Sequence, residues 1–450
     1  MRLRFSVLLF LSLLSFQSFS QEADNSPYSR FGIGDLTDPN FNHTRQMGGL
    51  GASFLDAYHI NIVNPATHSF LNATAFDVGL FAKYTSLKDR NNSGSFWSGN
   101  LEYLSIAFPL KNPINEIYDG VKKPYKLGMA ITLMPHSNVN YNIVSLDSLE
   151  GVGNFTRRYL GTGGSYKFIW GNSIKYKDFA FGVNTGFIFG KLNNERSIIF
   201  TDFNFPFNDV YVTDYNIRGF MWNAGLIYTK VLNQKSVEVN KTLAPKRISV
   251  GLHANSATGF STSANNFDRS VQQLPGSIII IDTIRFNIEQ SGRGRLPAEI
   301  GFGTTYYSGE KSAIGINLSW AGWSGYFNDA TGEQKGTLTD SYKIAVGGYI
   351  RPDYKSFDNF FERVLYRYGA FYQRDPRQVR DGAENKPIDG YGVSLGMGMP
   401  FVFQRKISYV NLGGIFGIRG QGTPVSERYV KISLGVTFND DEWFLKRKYN

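Results

Sequence analysis

The sequence predicts an all-β fold: a transmembrane antiparallel β-barrel of about 14 strands, with an N-terminal plug (hatch) inside the lumen. The first observation is that apolar residues alternate with small or polar ones in successive short segments from Thr74 to Phe438. This pattern is typical of strands with one face toward lipid. The second is composition. Aromatic residues make up 15% of the 450 residues and there are 48 Gly, but only 19% of residues are charged, fewer than in most soluble domains.

Residues 1–20 have the pattern of a secretory signal peptide. Arg2 and Arg4 precede the apolar run Phe5 to Phe16, and small residues follow before Gln21. The run is short for a bilayer-spanning helix, so we expect cleavage before Gln21 rather than a membrane anchor. The rest of the chain is therefore predicted to be exported.

Residues 21–73 are predicted to form the plug. Within them, RQMGGLGASFLDAYHINIVNPATHSF (45–70) is neither a good strand nor a good helix. Gly48, Gly49 and Gly51 weaken regular structure at one end, and Asn64-Pro65 breaks it at the other. The residues between them are mostly apolar. A segment this irregular and this apolar needs a protected interior, which a surrounding barrel (74–438) would supply.

The barrel strands are predicted from period-two alternation. The clearest example is the last one, in which Val430, Ile432, Leu434, Val436 and Phe438 alternate with Lys431, Ser433, Gly435 and Thr437. Similar segments recur upstream, at 76–84, 127–133, 179–189, 220–228, 248–252 and 314–318. Each is consistent with a strand whose apolar face meets lipid.

The strand count comes from the connections. Seven long polar connections are predicted, near 85–99, 137–155, 193–213, 257–295, 325–338, 375–387 and 419–426. Six others alternate with them, near 111–124, 176–178, 232–245, 308–311, 352–364 and 401–404. Thirteen connections give about fourteen strands, an even number that places both termini on the periplasmic side. Counts of 12 or 16 strands stay open as alternatives.

A soluble β-sandwich is the main structural alternative, because its strands also alternate. Aromatic residues at the predicted strand ends argue against it, since Trp and Tyr gather where lipid meets water. These residues are Phe96, Trp97, Trp320, Trp323 and Tyr326. A closed barrel also satisfies every backbone polar group without an edge, as lipid requires.

Sequence patterns for catalysis or cofactor binding are lacking. The chain has no Cys, its five His residues follow no metal-binding spacing, and no GxSxG motif occurs. We therefore predict a protein that is not an enzyme, with no catalytic residues, no metal and no cofactor. The net charge of +10 comes without a basic run interleaved with aromatics, so we expect no nucleic-acid partner. Attraction to an anionic lipid surface explains the charge more simply.

Three stretches resemble the FadL family of outer-membrane transporters for hydrophobic compounds. The first is the small-residue run at 48–52, followed by Asp56-Ala57 and by Asn64-Pro65-Ala66, which is similar to the family's N-terminal hatch. The second is LPAEIGFGTTYY (296–307), followed by a strand that ends at Trp320. The third is YKIAVGGYIRP (342–352). They occur in the family's order and span most of the mature chain.

The resemblance implies a fourteen-stranded barrel in the outer membrane of a Gram-negative bacterium, surrounded by outer-membrane lipid and lipopolysaccharide. It further implies uptake of long-chain fatty acids or other hydrophobic compounds, by passive diffusion past the hatch. Such ligands must stay out of water, which a plugged barrel with an apolar pocket allows. The residues implied in gating the hatch are Gly48, Gly49, Gly51, Asp56, Asn64, Pro65 and Ala66.

The tail after the last strand departs from the family pattern. Residues 439–450 carry bulky apolar residues beside basic ones: Trp443, Phe444, Lys446, Arg447 and Lys448. One interpretation is that this tail folds under the barrel mouth; the other is that it contacts another outer-membrane or periplasmic protein. PorV-type relatives of this barrel serve protein secretion. The alternative function is therefore a non-transporting barrel subunit of an outer-membrane protein assembly or secretion complex.

Overall fold

The computed structural model describes residues 26–443, except 112–114, 116–119, 121–122, 152 and 275–276. The signal-peptide prediction (1–20) and tail residues 444–450 lie outside this part. The described strands are β1 (Asp35–Leu36), β2 (Thr74–Lys88), β3 (Ser93–Pro109), β4 (Tyr125–Asn138), β5 (Tyr141–Leu149), β6 (Gly153–Tyr176), β7 (Phe179–Phe200), β8 (Phe207–Val231), β9 (Lys246–Asn255), β10 (Thr258–Leu274), β11 (Ser277–Leu296), β12 (Glu299–Ser308), β13 (Ser312–Ala321), β14 (Phe327–Asn328), β15 (Ser341–Ile350), β16 (Leu365–Asp381), β17 (Glu384–Phe403), β18 (Lys406–Arg419) and β19 (Ser426–Asp440).

Helical structure is scarce within these ranges. The α-helices are α1 (Asn42–Arg45), α2 (Gln234–Val239) and α3 (Phe360–Arg363). Short 3-10 turns occupy Pro27–Arg30, Pro65–Phe70 and Trp323–Gly325. Among the residues described, no helix combines the length and the apolar character needed to cross a membrane.

Fourteen antiparallel barrel strands form a closed ring, because the first, β2, pairs along its whole length with the last, β19. Three barrel strands are made of two segments in line. β4 and β5 both pair with β6, β9 and β10 both pair with β8, and β11 continues into β12. The short kinks between these segments fall at 139–140, 256–257 and 297–298. The predicted fourteen-stranded barrel is confirmed.

The barrel exterior is apolar, and the alternation of the sequence sets it. In β19 the predicted outward residues include Ile432 and Leu434, which are 46% and 40% exposed, whereas Ser433 between them is 4% exposed. β7 continues the pattern with Phe181 and Phe187 outward and Gly182 inward. A ring of such strands buries its backbone hydrogen bonds and presents side chains to lipid.

Several predicted long loops are wrong, because the chain there forms strands. Residues 141–149, 153–161 and 191–200 belong to β5, β6 and β7. The predicted 257–295 loop is a hairpin of β10 and β11. These segments are polar because they extend past the apolar belt, yet they still pair with neighbouring strands. The polarity marks the edge of the membrane zone, not the end of the strand.

Two of the predicted interfacial aromatics are also misplaced. Trp97 and Trp320 are 62% and 43% exposed, consistent with the expected position at the barrel exterior. Trp323 and Tyr326 are instead 3% and 0% exposed, and they pack with Tyr215 and Phe260. The connection after β13 turns inward and covers the end of the barrel that carries the long hairpins.

Candidate functional site: the plug and its cavity

The described part of the plug, residues 26–73, lies among inward-facing residues of the strands. Nearly all its residues from Asn40 to Ser69 are buried. It contacts strands around the whole ring: Asn42 meets β3, Ala52 meets β13, and His68 meets β7. The apolar stretch thus occupies a protected interior of the expected kind. Its movement stays a prediction.

Gly48 and Gly49 form a tight turn against the wall. Both have positive φ, +75° and +106°, a conformation that favours glycine. The Gly48 amide donates to the Ser394 hydroxyl of β17 at 3.0 Å. A Cβ atom at Gly48 would lie 2.8 Å from the Ala370 carbonyl oxygen of β16. The turn therefore lets the plug backbone pack directly on the strand backbone.

Gly51 and Asp56 shape the middle of the plug. A Cβ atom at Gly51 would lie 2.8 Å from Val63, so the two limbs of the plug touch there. The Asp56 carboxylate accepts from the Tyr58 amide at 2.8 Å and contacts His59 Nδ1 at 3.0 Å. Asp56 therefore orders the 56–59 turn.

Asn64, Pro65 and Ala66 fasten the other end. Asn64 accepts from the Ala66 amide at 3.1 Å and caps the Pro65–Phe70 turn. Its amide nitrogen donates to the Ala52 carbonyl at 2.6 Å and to the Leu252 carbonyl of β9 at 3.3 Å. One side chain thereby joins both limbs of the plug to the barrel wall. The structure gives these three residues one shared anchoring role.

Inward-facing glycines of the strands are the feature that sequence analysis missed. At six of them, a Cβ atom would lie only 1.9–2.4 Å from an atom of the plug, closer than any real contact allows. These are Gly128, Gly182, Gly225, Gly251, Gly347 and Gly369. In a strand, Gly often marks close approach of another backbone. Glycines recurring on the polar face of the alternating segments were the available signal.

A buried ion network holds the start of the plug to the wall. Asp35 contacts Arg377 of β16 at 2.6 Å and Arg419 of β18 at 2.7 Å. Arg419 also contacts Glu427 of β19 at 2.6 Å, and Glu427 contacts Lys83 of β2 at 2.9 Å. Burial alone would raise the pKa of Asp35, but Arg419 and Arg377 outweigh it and hold this pKa well below its usual range.

A second network lies further along the plug. Lys343 of β15 contacts Asp38 at 2.6 Å. Arg45 pairs with Glu102 of β3, which Lys431 of β19 also contacts at 2.6 Å. Burial opposes ionisation of Asp38, yet Lys343 and Arg45 lower its pKa. Asp35, Asp38 and Arg45 of the plug thus each meet an opposite charge from the wall, as burial of charges requires.

The wall has a gap beside the plug. β3 pairs with β4 only from Leu104 to Pro109, so its residues 93–103 have a strand partner on the β2 side alone. Opposite them, β4 pairs with the plug instead, through β1. The gap therefore separates β3 from a β4 edge that the plug covers.

A cavity of about 470 Å³ adjoins this gap. Beside the gap its lining includes Leu101, Met134 and Ile169, with Lys167 of β6 paired in register with Met134. His253 and Glu299 also line the cavity. The volume falls within the range of small-molecule pockets, ~300–1,000 Å³. The arrangement can hold a molecule with an apolar body and a polar end.

The histidines of the plug do not form a metal centre. The rings of His43 and His59 lie 4.9 Å apart, and both are buried. Burial and the neighbouring His59 lower the pKa of His43. Within the described ranges, no group of three or more His, Asp or Glu residues could hold a metal ion.

The described part of the tail packs against the barrel. Trp443 is 45% exposed, and its ring centroid lies 6.0 Å from that of Phe108 at the end of β3. Lys406 pairs with Asp441 and lies 3.6 Å from Glu442. Phe444, Lys446, Arg447 and Lys448 lie outside the described residues. Their predicted partner contact stays a prediction.

Comparison with known families decides where the chain belongs. The family model named BamG matches residues 1–450. The chain belongs to the BamG family. No curated protein sequence matches it significantly.

Solved structures place this BamG-family barrel in the FadL fold. A Pseudomonas aeruginosa FadL homologue has a TM-score of 0.54 at 11% identity, with 90% of this chain and 99% of that chain covered. For the Pseudomonas putida toluene transporter TodX the TM-score is 0.51 at 14% identity, covering 91% and 100%. The Ralstonia pickettii toluene transporter TbuX gives 0.51 at 13% identity, covering 90% and 99%. The resemblance in fold seen in the sequence is confirmed.

Loss of the Asn64-Pro65 anchor should loosen the plug. The variant Asn64→Ala/Pro65→Ala leaves the Ala52 and Leu252 carbonyls without a side-chain donor and frees the backbone, at a cost of roughly 2–3 kcal/mol. We expect higher single-channel conductance in planar bilayers, while Asn91→Ala in an exposed turn leaves it unchanged. Equal conductance in all three proteins would show that these residues do not keep the lumen closed.

Removing the Asp35 carboxylate should release the start of the plug. Asp35→Asn leaves Arg377 and Arg419 short of one counter-charge in a buried site, which costs roughly 3–5 kcal/mol. Hydrogen exchange of residues 26–45 should accelerate, and it should not in the exposed control Asp358→Asn. Because the folded-state pKa of Asp35 is depressed below 3.8, its stabilisation is present above about pH 4 and is lost as the pH falls further. Exchange that accelerates between pH 7 and pH 5 would contradict this assignment.

Proposed function

We propose that this barrel takes up a small hydrophobic compound with a polar end, from outside the cell into the outer membrane. The observation that supports it is the cavity beside the plug, which extends to the gap between β3 and β4. A ligand in this cavity could reach the lipid through the wall and so avoid an aqueous pore, which its apolar surface disfavours. Diffusion down a concentration gradient is sufficient to drive this step.

The cavity lining favours an amphipathic ligand over a plain hydrocarbon. Leu101, Met134 and Ile169 offer apolar contact near the gap. Lys167 faces inward on β6 and lines the cavity together with Glu299, whose charge acts on it. An ammonium group in such a place suits a ligand carboxylate. Long-chain fatty acids meet both requirements, and the toluene transporters TodX and TbuX support the hydrophobic half of the proposal.

The orientation follows the lengths of the connections. The two ends of the barrel ring, Thr74 and Asp440, lie at the end of the barrel with the turns at 177–178, 309–311 and 404–405, and the long hairpins lie at the other end. The first described residues of the plug lie at the hairpin end, where Tyr28 contacts Thr423 and Val425 of the β18–β19 connection. Bacterial barrels carry their short turns on the periplasmic side. We therefore place the ends of the barrel ring, and with them the C-terminal tail, in the periplasm, and the hairpin end outside, in contact with lipopolysaccharide. The contacts of Tyr28 at the hairpin end do not support the predicted periplasmic position of the N-terminus. We also propose that movement of the plug gates this uptake, and that the protein acts as a channel and not as an enzyme.

Narrowing the cavity should reduce uptake. Met134→Trp adds bulk to the cavity, whereas Leu133→Trp, next to it on β4, points to lipid. With toluene and laurate as probes, we expect uptake into cells to fall by roughly tenfold for Met134→Trp but not for Leu133→Trp, an effect worth ~1.4 kcal/mol. Lys167→Met should reduce laurate uptake and spare toluene. Uptake that matches the wild type in both cavity variants would overturn the proposal.

The second candidate is a non-transporting subunit of an outer-membrane assembly or secretion complex. What favours it is the strength of the plug's attachment: buried ion pairs join it to β2, β3, β15, β16, β18 and β19 directly or through shared partners. Such bracing suits a plug that stays in place.

Deletion of residues 441–450 tests this second candidate. If the tail contacts a partner, affinity purification from native membranes should lose one or more co-purifying proteins on deletion, while the barrel still folds and migrates as a heat-modifiable band. Trp443→Ala serves as the milder variant. An unchanged set of co-purifying proteins would argue against the tail contact.

A further inference from the structure

The strand β11 has one long unpaired edge at the hairpin end. One lateral edge of β11 pairs with β10 from Ser277 to Leu296. On the opposite edge, the described residues of β11 pair only at Gly294 and Arg295, with β14. Residues 277–291 therefore leave about half of their backbone N–H and C=O groups without a strand partner, over about 50 Å at ~3.3 Å per residue. We call residues 277–291 the free edge.

The free edge is apolar on both faces. Seven large side chains are between 44% and 68% exposed; they are Ile278, Ile279, Ile280, Ile281, Ile284, Phe286 and Ile288. Together they expose several hundred Å², a patch size that marks interaction sites on soluble surfaces. It approaches the ~800 Å² that each partner contributes to a standard interface.

Several of the usual protections of an edge strand are missing here, although three register shifts interrupt its pairing with β10. Natural edges carry Lys or Pro, or are covered by a helix or loop, because an open edge recruits other strands. The sequence SIIIIDTIRFNIEQS (277–291) contains neither Lys nor Pro. The free edge also extends beyond the lipid belt, since β10 and β11 pair with each other above the kinks at 256–257 and 297–298. Lipid therefore does not account for its isoleucines.

The charges on the free edge indicate what it accepts. Arg285 is already paired with Asp268 of β10 at 2.8 Å. Asp282 and Glu289 have no ion pair with any described residue. Two exposed carboxylates among isoleucines favour a strand that brings basic residues of its own.

A second copy of this chain fits poorly. Two copies in one membrane point the same way, so their β11 edges would run in the same direction. In register, Asp282 would then lie beside Asp282 and Glu289 beside Glu289, and like charges directly opposite each other destabilise a sheet. The charge pattern therefore favours a different protein.

We propose that the free edge of β11 docks an extended segment of another protein, apolar at alternate positions and carrying Lys or Arg that meets Asp282 and Glu289. The segment adds to β11 as a further strand. Backbone hydrogen bonds supply affinity and the alternate side chains supply specificity. This docking is independent of uptake through the cavity, so either proposal can fail alone.

Site-specific photo-cross-linking in intact cells tests the proposal. A benzoylphenylalanine replaces Ile284 or Phe286 in the full-length protein, and Leu146, 82% exposed on β5, serves as the matched control position. We expect an adduct at both β11 positions and none at the control. Mass spectrometry should map it to one apolar segment with basic residues. Folding of each variant is checked by heat-modifiable migration.

Charge reversal supplies the decisive comparison. Asp282→Lys/Glu289→Lys should reduce the adduct at Phe286 by at least fivefold, and Glu384→Lys, an exposed acid on β17, should leave it unchanged. Adducts to a second copy or to lipid alone would overturn the proposal. So would adducts spread over unrelated proteins, an absence of adducts at both positions, or a yield that ignores the charge reversal.

Discussion

The pairing of buried charges between the plug and the wall is the constraint on which the rest of the structure depends. A carboxylate such as Asp35 can be buried only where the cations Arg377 and Arg419 meet it. Those arginines come from two different strands, so the plug fits in one position and one register. The glycines that line its path are a separate requirement, because the plug backbone approaches the strand backbone there too closely for a Cβ atom. The position of the plug also defines the cavity, which plug residues line, and the gap, where β1 pairs with β4.

The barrel itself was predictable because every strand residue faces either lipid or the lumen, and each environment selects its own type of side chain. Lipid on one face and a filled lumen on the other enforce alternation, as Ile432, Ser433 and Leu434 show. The connections were harder. The polar residues at 193–213 and 257–295 mark where the chain leaves the lipid zone. The strands nevertheless continue there, because their backbone hydrogen bonds persist outside lipid, and composition does not show this pairing.

The site could be predicted only in part. The small residues and Asn64-Pro65-Ala66 stood out because they break regular structure, and the structure gives them anchoring roles. The partners of the plug charges could not be predicted, since Asp35 and Arg419 lie 384 residues apart and nothing local links them. Likewise, the gap beside β3 depends on which segment pairs with the end of β4. At Ser137 and Asn138, β4 pairs with the plug segment Asp35–Leu36, and no pattern within β3 or β4 predicts this.

The seam between β2 and β19 has a consequence for biogenesis. These strands join Thr74 to Asp440, so the ring closes only when the entire chain is available. Contacts so distant in sequence are slow to form. Until they form, Lys83, Glu427 and Lys431 would border an open slot in the bilayer, and each of them completes its ion pairs across that seam. Because the plug lies inside the ring, the N-terminal segment has to be enclosed before or while the last strand pairs with the first.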